Sequence, residues 1–293
     1  MAKFASPERQ AASVMKALQG DTLRSVGTVR NYEQSLIRVA EFLQSNRLGD
    51  LRSLTLEKAI AYLETRGQEI GQKTLDMERQ SIQCMMQNVT QKLAPTEKLP
   101  IVKSEQAQIL NSRAYTAQQV EMIAAAQTER NALSTQIAYT VGLRAHELLT
   151  IARANEQAPD ARPALDTKFG GRDGVIYTVT GKGGLTRNVL LPANLAVQLE
   201  NRRLGEIRTA VDRGVFYQQR YDLNGGNRWS SSFSTASQRS LGWSAGAHGV
   251  RHSYAQERMT ELQQSGMARE KALETVSQEM GHFRPEITET YLR

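Results

Sequence analysis

The carboxy-terminal stretch of this chain sets a His-x-x-Arg pair, His248 and Arg251, ahead of a second histidine, His282, and a tyrosine, Tyr291. Imidazole, guanidinium and phenol in such succession can activate a nucleophile and hold a phosphate. Attack on a phosphodiester builds a five-coordinate phosphorane whose non-bridging oxygens carry more negative charge than the ground state. Arginine suits that charge, because its planar fork donates two parallel hydrogen bonds and keeps its proton. Arg144 and Arg251 are the candidates. Donors aimed in this way typically contribute about 3 to 4 kcal/mol each to lowering the barrier. A phenol with an ordinary pKa near 10 is a poor nucleophile at neutral pH, so Tyr291 needs help from cations or a base, and His248 and His282 can supply it by hydrogen bonding. The leaving 5′ alkoxide needs a proton, for which Lys182, on a glycine-flanked turn, is the candidate general acid. Such chemistry requires no metal.

Each of these residues also has a plainer reading. Gly181-Lys182-Gly183 taken alone is a hairpin turn, and it is not a P-loop: Ile176 stands where the first glycine belongs and Gly183 replaces the Ser or Thr. His252 projects from a different helical face than Arg251, which suits packing or support rather than catalysis. Tyr254 shares a helix with His248 and Arg251 and is the rival nucleophile, although an aromatic there suits burial. His146 reads as a surface residue. Glu147 either orients an arginine or stabilises its helix, and it is carried as a supporting acid. Trp229 and Trp243 read as core or loop anchors.

Composition frames the partner. Lysine and arginine total 37 against 30 acids, a net charge of +7, which favours a polyanion. The excess divides as +3 over residues 1 to 112 and +4 over the remainder, as expected of a protein that grips DNA from two sides. The single cysteine, Cys84, excludes an intrachain disulfide and reads as buried. Four histidines without a Cys-x-x-Cys argue against structural zinc. No long apolar run and no secretory signal stand in the sequence, which predicts a cytoplasmic protein without a membrane segment.

The elements that must position these groups follow from hydrophobic spacing. Residues 1 to 20 read as a mobile or weakly helical arm. Val29, Tyr32, Leu36, Val39 and Leu43 recur at helical spacing; Thr55 caps a second helix through Leu63 to Gly67; a third starts near Thr74. Residues 21 to 94 thus form a small bundle whose polar faces carry Arg30, Arg38, Lys73 and Arg79, placed to meet phosphates. Residues 95 to 112 read as a linker, and residues 113 to 293 as a second domain. There, Thr116 caps a helix, a second runs to Gly142, and Leu143 to Leu149 forms a short third. Residues 153 to 174 read as an irregular insertion, and Val175–Thr180 and Arg187–Leu191 as the two strands of a hairpin. Helix is expected from Pro192 to Arg213, a Gly/Ser-rich loop from Asn224 to Ser232, and helices over about 247 to 264, 268 to 280 and 285 to 292.

In this order, Gly142-Leu143-Arg144-Ala145-His146-Glu147-Leu148, Thr180-Gly181-Lys182-Gly183, His248-Gly249-Val250-Arg251-His252-Ser253-Tyr254-Ala255, Met280-Gly281-His282 and Thr290-Tyr291 resemble the tyrosine recombinase (phage integrase) family. The resemblance implies a mainly α fold: an amino-terminal helical-bundle core-binding domain and a mostly helical catalytic domain with a small β-hairpin, closing as a clamp on duplex DNA. It implies an active site of Arg144, Lys182, His248, Arg251, His282 and Tyr291 with Glu147 in support. The implied reaction is DNA cleavage and rejoining through a 3′-phosphotyrosyl bond, in a homotetramer on double-stranded DNA, with accessory DNA-bending proteins as further partners and no cofactor. Relatives usually continue past the tyrosine with a segment that docks on a neighbouring protomer; here Leu292 and Arg293 follow. Two other functions share parts of this constellation: a type IB topoisomerase, which rejoins the same strand, and a DNA-binding accessory protein that no longer cleaves.

Overall fold

The computed structural model describes residues 4–20, 22–23, 26–108, 110–282 and 284–293. The chain divides into two compact units, Met1–Ile109 and Leu110–Arg293. Among the described residues no helix is long and apolar enough to cross a membrane.

The first unit is a helical bundle: α1 (Pro7–Leu18), α2 (Val26–Ser45), α3 (Leu56–Gly67) and α4 (Gln72–Asn88). Its interior takes Val14 and Leu18 from α1, Leu36 and Leu43 from α2, Leu63 from α3, and Ile82 and Met86 from α4. The amino-terminal segment is therefore not a mobile arm. Ser6 caps α1, proline opens it, and Ala11, Val14, Met15 and Leu18 are buried along one face. The stretch after α4 is likewise more than a linker. Leu93 and Leu99 are buried, and Ser104 donates to the carbonyl of Ile70 at 2.7 Å. A buried carboxylate, Glu78, accepts from the Tyr62 hydroxyl at 2.8 Å and from Arg66 Nη2 at 3.2 Å. Of the basic residues expected on polar faces, Arg30 and Lys73 are exposed. Arg79 instead donates to the carbonyl of Leu99 at 3.2 Å and lies 3.7 Å from Asp76. Cys84 is half-buried rather than buried.

The second unit opens with α5 (Ala117–Ala125), held by a Thr116–Gln119 capping box, and α6 (Glu129–Val141), which stops at Gly142 in the left-handed conformation. The next residues make a turn and a short 3-10 helix at Glu147–Leu149 in place of the α-helix expected over 143 to 149. Strands β1 (Ala152–Arg153), β2 (Val175–Thr180) and β3 (Thr186–Leu191) form an antiparallel sheet, with Tyr177 opposite Val189 and Val179 opposite Arg187. The irregular segment between β1 and β2 is pinned to the later helices. Leu165 N donates to Gln278 and Phe169 N to Glu279, both at 2.8 Å.

The expected helix over Pro192 to Arg213 ends early. It gives α7 (Ala193–Glu200), followed by a second hairpin of β4 (Arg203–Asp212) and β5 (Val215–Tyr221). Ile207, Thr209 and Val211 occupy alternate positions of β4, a β-branched spacing at period two, and Arg213 and Gly214 both have positive φ, 50° and 79°, forming a two-residue hairpin turn. The Gly/Ser-rich segment then becomes α8 (Gly226–Leu241), because Trp229, Phe233 and Ala236 bury one helical face. Trp243 stacks on Tyr115 with ring centroids 5.1 Å apart. Last come α9 (Gly249–Gln264), α10 (Arg269–Glu279) and α11 (Pro285–Glu289). Tyr254, Met259 and Leu262 of α9 pack with Val276 of α10 and with Tyr291 beyond α11 in a separate apolar cluster.

Candidate active site

Four local structures converge: the turn after α6, the mouth of the β2–β3 hairpin, the first turns of α9, and the segment from Met280 to Tyr291. Gly142 terminates α6 at φ 65°, and a Cβ there would come within 2.6 Å of the Tyr254 ring, so the position requires glycine on both counts. The carbonyl of Gly142 accepts a short hydrogen bond from Arg251 Nη1. The chain then turns so that Arg144 folds back onto Glu147.

Glu147 is fully buried and organises the cations around it. It accepts from the backbone N–H of Arg144 at 2.8 Å, from Arg144 Nη1 at 2.9 Å, and from Arg187 Nη1 and Nη2 at 3.0 and 3.1 Å. Burial alone would raise its pKa, but Arg187, Arg251 and Arg144 outweigh that and hold the carboxyl well below the usual range. Glu147 therefore orients an arginine.

Arg251 is wholly buried. Its Nη2 donates to the carbonyl of Met280 at 2.5 Å and meets His282 Nε2 at 2.9 Å. Nε is buried without a hydrogen-bond partner among the described residues. Burial and then the charge of Arg144 push its pKa down to about 10, which leaves it cationic at neutral pH. A guanidinium only donates, so His282 Nε2 must accept, and the ring proton sits on Nδ1, 2.9 Å from the Thr288 hydroxyl. His282 is thus a neutral imidazole aimed at an arginine. Burial, Arg251 and Arg144 lower its pKa to about 3.

Tyr291 lies among these groups. Its ring centroid is 4.8 Å from that of His252, 5.3 Å from His282 and 5.5 Å from His248, and the Arg251 guanidinium carbon is 5.5 Å from it. Tyr291 is largely buried, with 8% of its surface exposed, whereas His248 is open to solvent. Packing around the His248 ring and then the charge of Arg251 lower its pKa to about 4. Gln256 on α9 fixes the terminal segment by donating to the carbonyls of Tyr291 at 3.1 Å and Arg293 at 2.7 Å.

Solved structures share this architecture along nearly the whole chain. A lambda integrase dimer bound to a COC′ core site superposes with a TM-score of 0.60 at 15% identity, over 97% of this chain and 94% of that one. XerH site-specific recombinase bound to palindromic difH, in a post-cleavage complex, gives 0.57 at 14% identity over 98% and 85%. The chain has the tyrosine recombinase fold. The Tn1549 transposon integrase in complex with transposon right end DNA gives 0.54 at 14% identity over 99% and 95%. At the level of sequence no family model and no curated protein matches this chain.

Within the recombinase fold, the structure gathers Arg144, Glu147, Arg251, His282, His248 and Tyr291. Lys182 stands apart from them: its side chain is exposed on the hairpin turn. The hairpin mouth nonetheless lies against the arginines, since a Cβ on Gly181 would sit 3.0 Å from Glu147 Oε1 and 3.7 Å from Arg144 Nη1. The rival Tyr254 is engaged elsewhere: its hydroxyl donates to Glu279 at 2.8 Å, both are buried, and burial with that carboxylate raises its pKa well above the usual phenol value. His146 is half-buried rather than on the surface, 6.1 Å from the Tyr217 ring.

Two groups in the cluster escape a reading by motif. His252 packs directly on Tyr291, although sequence spacing sends it to another helical face. Arg187, in the middle of the cluster, reads from sequence as one more strand residue. The available signal was its register. It shares a face of β3 with Val189 and Leu191 and stands opposite Val179, so a cation there enters the core and must find an anion.

Proposed function

We propose that this protein cleaves and rejoins duplex DNA through a 3′-phosphotyrosyl intermediate, with Tyr291 as nucleophile. The observation that carries the reading is the position of that phenol, packed among three imidazoles with the Arg251 guanidinium 5.5 Å from the ring.

Each residue then has a distinct task. The Tyr291 oxygen forms a bond to phosphorus while the bond from phosphorus to the 5′ oxygen breaks. The phenol proton passes to His248, which is neutral and open to solvent, so it can accept a proton and release it. Arg144, partly exposed and braced by Glu147, receives one non-bridging oxygen, and the buried Arg251 offers its unpartnered Nε to the other once DNA binding opens the cluster. His282 holds Arg251 from behind as a hydrogen-bond acceptor and takes no part in proton transfer while that bond persists. Lys182 protonates the 5′ oxygen, reaching it when DNA draws the hairpin turn inward. Rejoining reverses these steps with the 5′ hydroxyl of another strand. Two duplexes present four strands, each needing its own tyrosine, so recombination calls for four copies. A lambda integrase tetramer on a Holliday junction is one of the structures this chain resembles.

The test is a suicide duplex carrying a nick or a 5′-bridging phosphorothiolate, which traps the covalent product. Wild-type protein should leave a detergent-resistant protein–DNA band, and Tyr291→Phe should abolish the band while retaining DNA affinity. A mobility shift that vanishes in detergent for the wild type would leave only a DNA-binding protein. Relaxation of supercoiled plasmid without exchange between two sites would point to a topoisomerase.

A further inference from the structure

Arg187 is a buried cation that the proposed mechanism does not use. It is only 5% exposed, and its side chain reaches two places at once. Nη1 and Nη2 make a fork on Glu147 at 3.0 and 3.1 Å, and Nε donates to the backbone carbonyl of Glu279 at 3.1 Å. The first contact fixes the carboxylate that braces Arg144. The second fixes the turn that follows α10, whose next carbonyl, Met280, receives Arg251 Nη2 at 2.5 Å. Gly281 closes the turn over the Arg187 side chain, and a Cβ there would lie 2.7 Å from Arg187 Cδ. That closeness, with φ 71° at Gly281, leaves the arginine no room to slide.

We infer that Arg187 is a positioning residue that sets the spacing between the two phosphate-binding arginines, Arg144 and Arg251, by tying β3 to Glu147 and to the 279–282 turn. A neutral hydrogen-bonding side chain could not compensate the Glu147 carboxylate, and a lysine has one point of charge where this site uses three N–H vectors in a plane. Arg187 also extends from β3, the strand that follows the Lys182 turn, so the same side chain places the hairpin mouth against the arginines. The inference rests on the strand-cleavage reading above.

The experiment uses the 293-residue chain and the phosphorothiolate duplex, with single-turnover cleavage measured at saturating protein and DNA affinity measured separately. Arg187→Met should bind DNA within about threefold of wild type yet cleave roughly 100-fold more slowly, the scale of a mis-aimed electrostatic donor. Arg187→Lys should recover part of that rate, to within about tenfold of wild type, because charge returns without the fork. A third variant separates positioning from stability: Glu147→Gln combined with Arg187→Met removes both buried charges. Its melting temperature should return toward wild type while its cleavage stays as slow as that of Arg187→Met. Wild-type cleavage in Arg187→Met, or recovery of rate along with stability in the double variant, would overturn the inference and leave the strand-cleavage reading intact. Wild-type protein that forms no covalent product overturns that reading and the inference with it.

Discussion

Replacing Tyr254 by phenylalanine separates the two tyrosines that the sequence offers as nucleophiles. The hydroxyl lost donates to Glu279 Oε2 at 2.8 Å in the interior, and a hydrogen bond to a charged partner contributes about 1.5 to 3 kcal/mol. Glu279 keeps other donors, Phe169 N at 2.8 Å and Arg258 Nε at 3.1 Å, so the carboxylate is not stranded and the lower end applies. For a unit of this size, about 1.5 kcal/mol corresponds to a melting temperature lower by roughly 3 to 6 °C. Scanning calorimetry should find that drop in the transition of the carboxy-terminal unit. Trapping on the phosphorothiolate duplex, read on a denaturing gel well below the melting point, should show covalent product forming within about threefold of the wild-type rate, since replacing a structural hydrogen bond leaves the aimed donors in place. Loss of the covalent band in Tyr254→Phe with its retention in Tyr291→Phe would refute this assignment, because the nucleophile would then be the hydroxyl bound to Glu279.

Further outcomes follow from the same geometry. Arg144→Ala should slow single-turnover cleavage by about 100- to 1,000-fold with little change in DNA affinity measured by fluorescence anisotropy, as expected for loss of one aimed donor. His252 and His282 are buried and uncharged, with pKa values lowered to about 4 and about 3, chiefly by burial. The unfolded chain therefore binds more protons than the folded one between about pH 4 and 6.5, and stability should rise with pH across that window and level off above it. Urea melts at pH 5 and pH 7 would show it, with the lower midpoint at pH 5. In the amino-terminal unit, Glu78→Ala strands the Tyr62 hydroxyl and takes from Arg66 one of its two carboxylates, leaving it Glu69. It should destabilise that unit by about 1 to 3 kcal/mol in chemical denaturation.

The sequence disclosed this site unevenly, for physical reasons. The groups proposed to act on DNA are constrained in type and lie near chain features that spacing reveals. Arg144 follows a helix-ending glycine, and His248 and Arg251 share the first turns of one helix. Supporting groups are set by tertiary contact instead. Arg187 meets Glu147 from forty positions away, and no local pattern records that meeting. The fold shows the same division. Strong periodicity locates α2, α3, α9 and α10, while α8 hides behind serine and glycine because only Trp229, Phe233 and Ala236 mark its buried face. The β4–β5 hairpin was obscured by an apolar run that begins as α7, and its turn depends on left-handed backbone at Arg213, which residue type does not announce.

Gly142 gives the molecule an unusual kind of fragility. One methyl group added there would press on the Tyr254 ring and displace the carbonyl to which Arg251 donates. Damage to the apolar interior and damage to the cation pair would arrive together from a single codon change. A stabilising substitution elsewhere could restore folding to such a mutant without restoring the carbonyl's position. Suppressor screens at Gly142 should therefore return abundant soluble protein that remains inert.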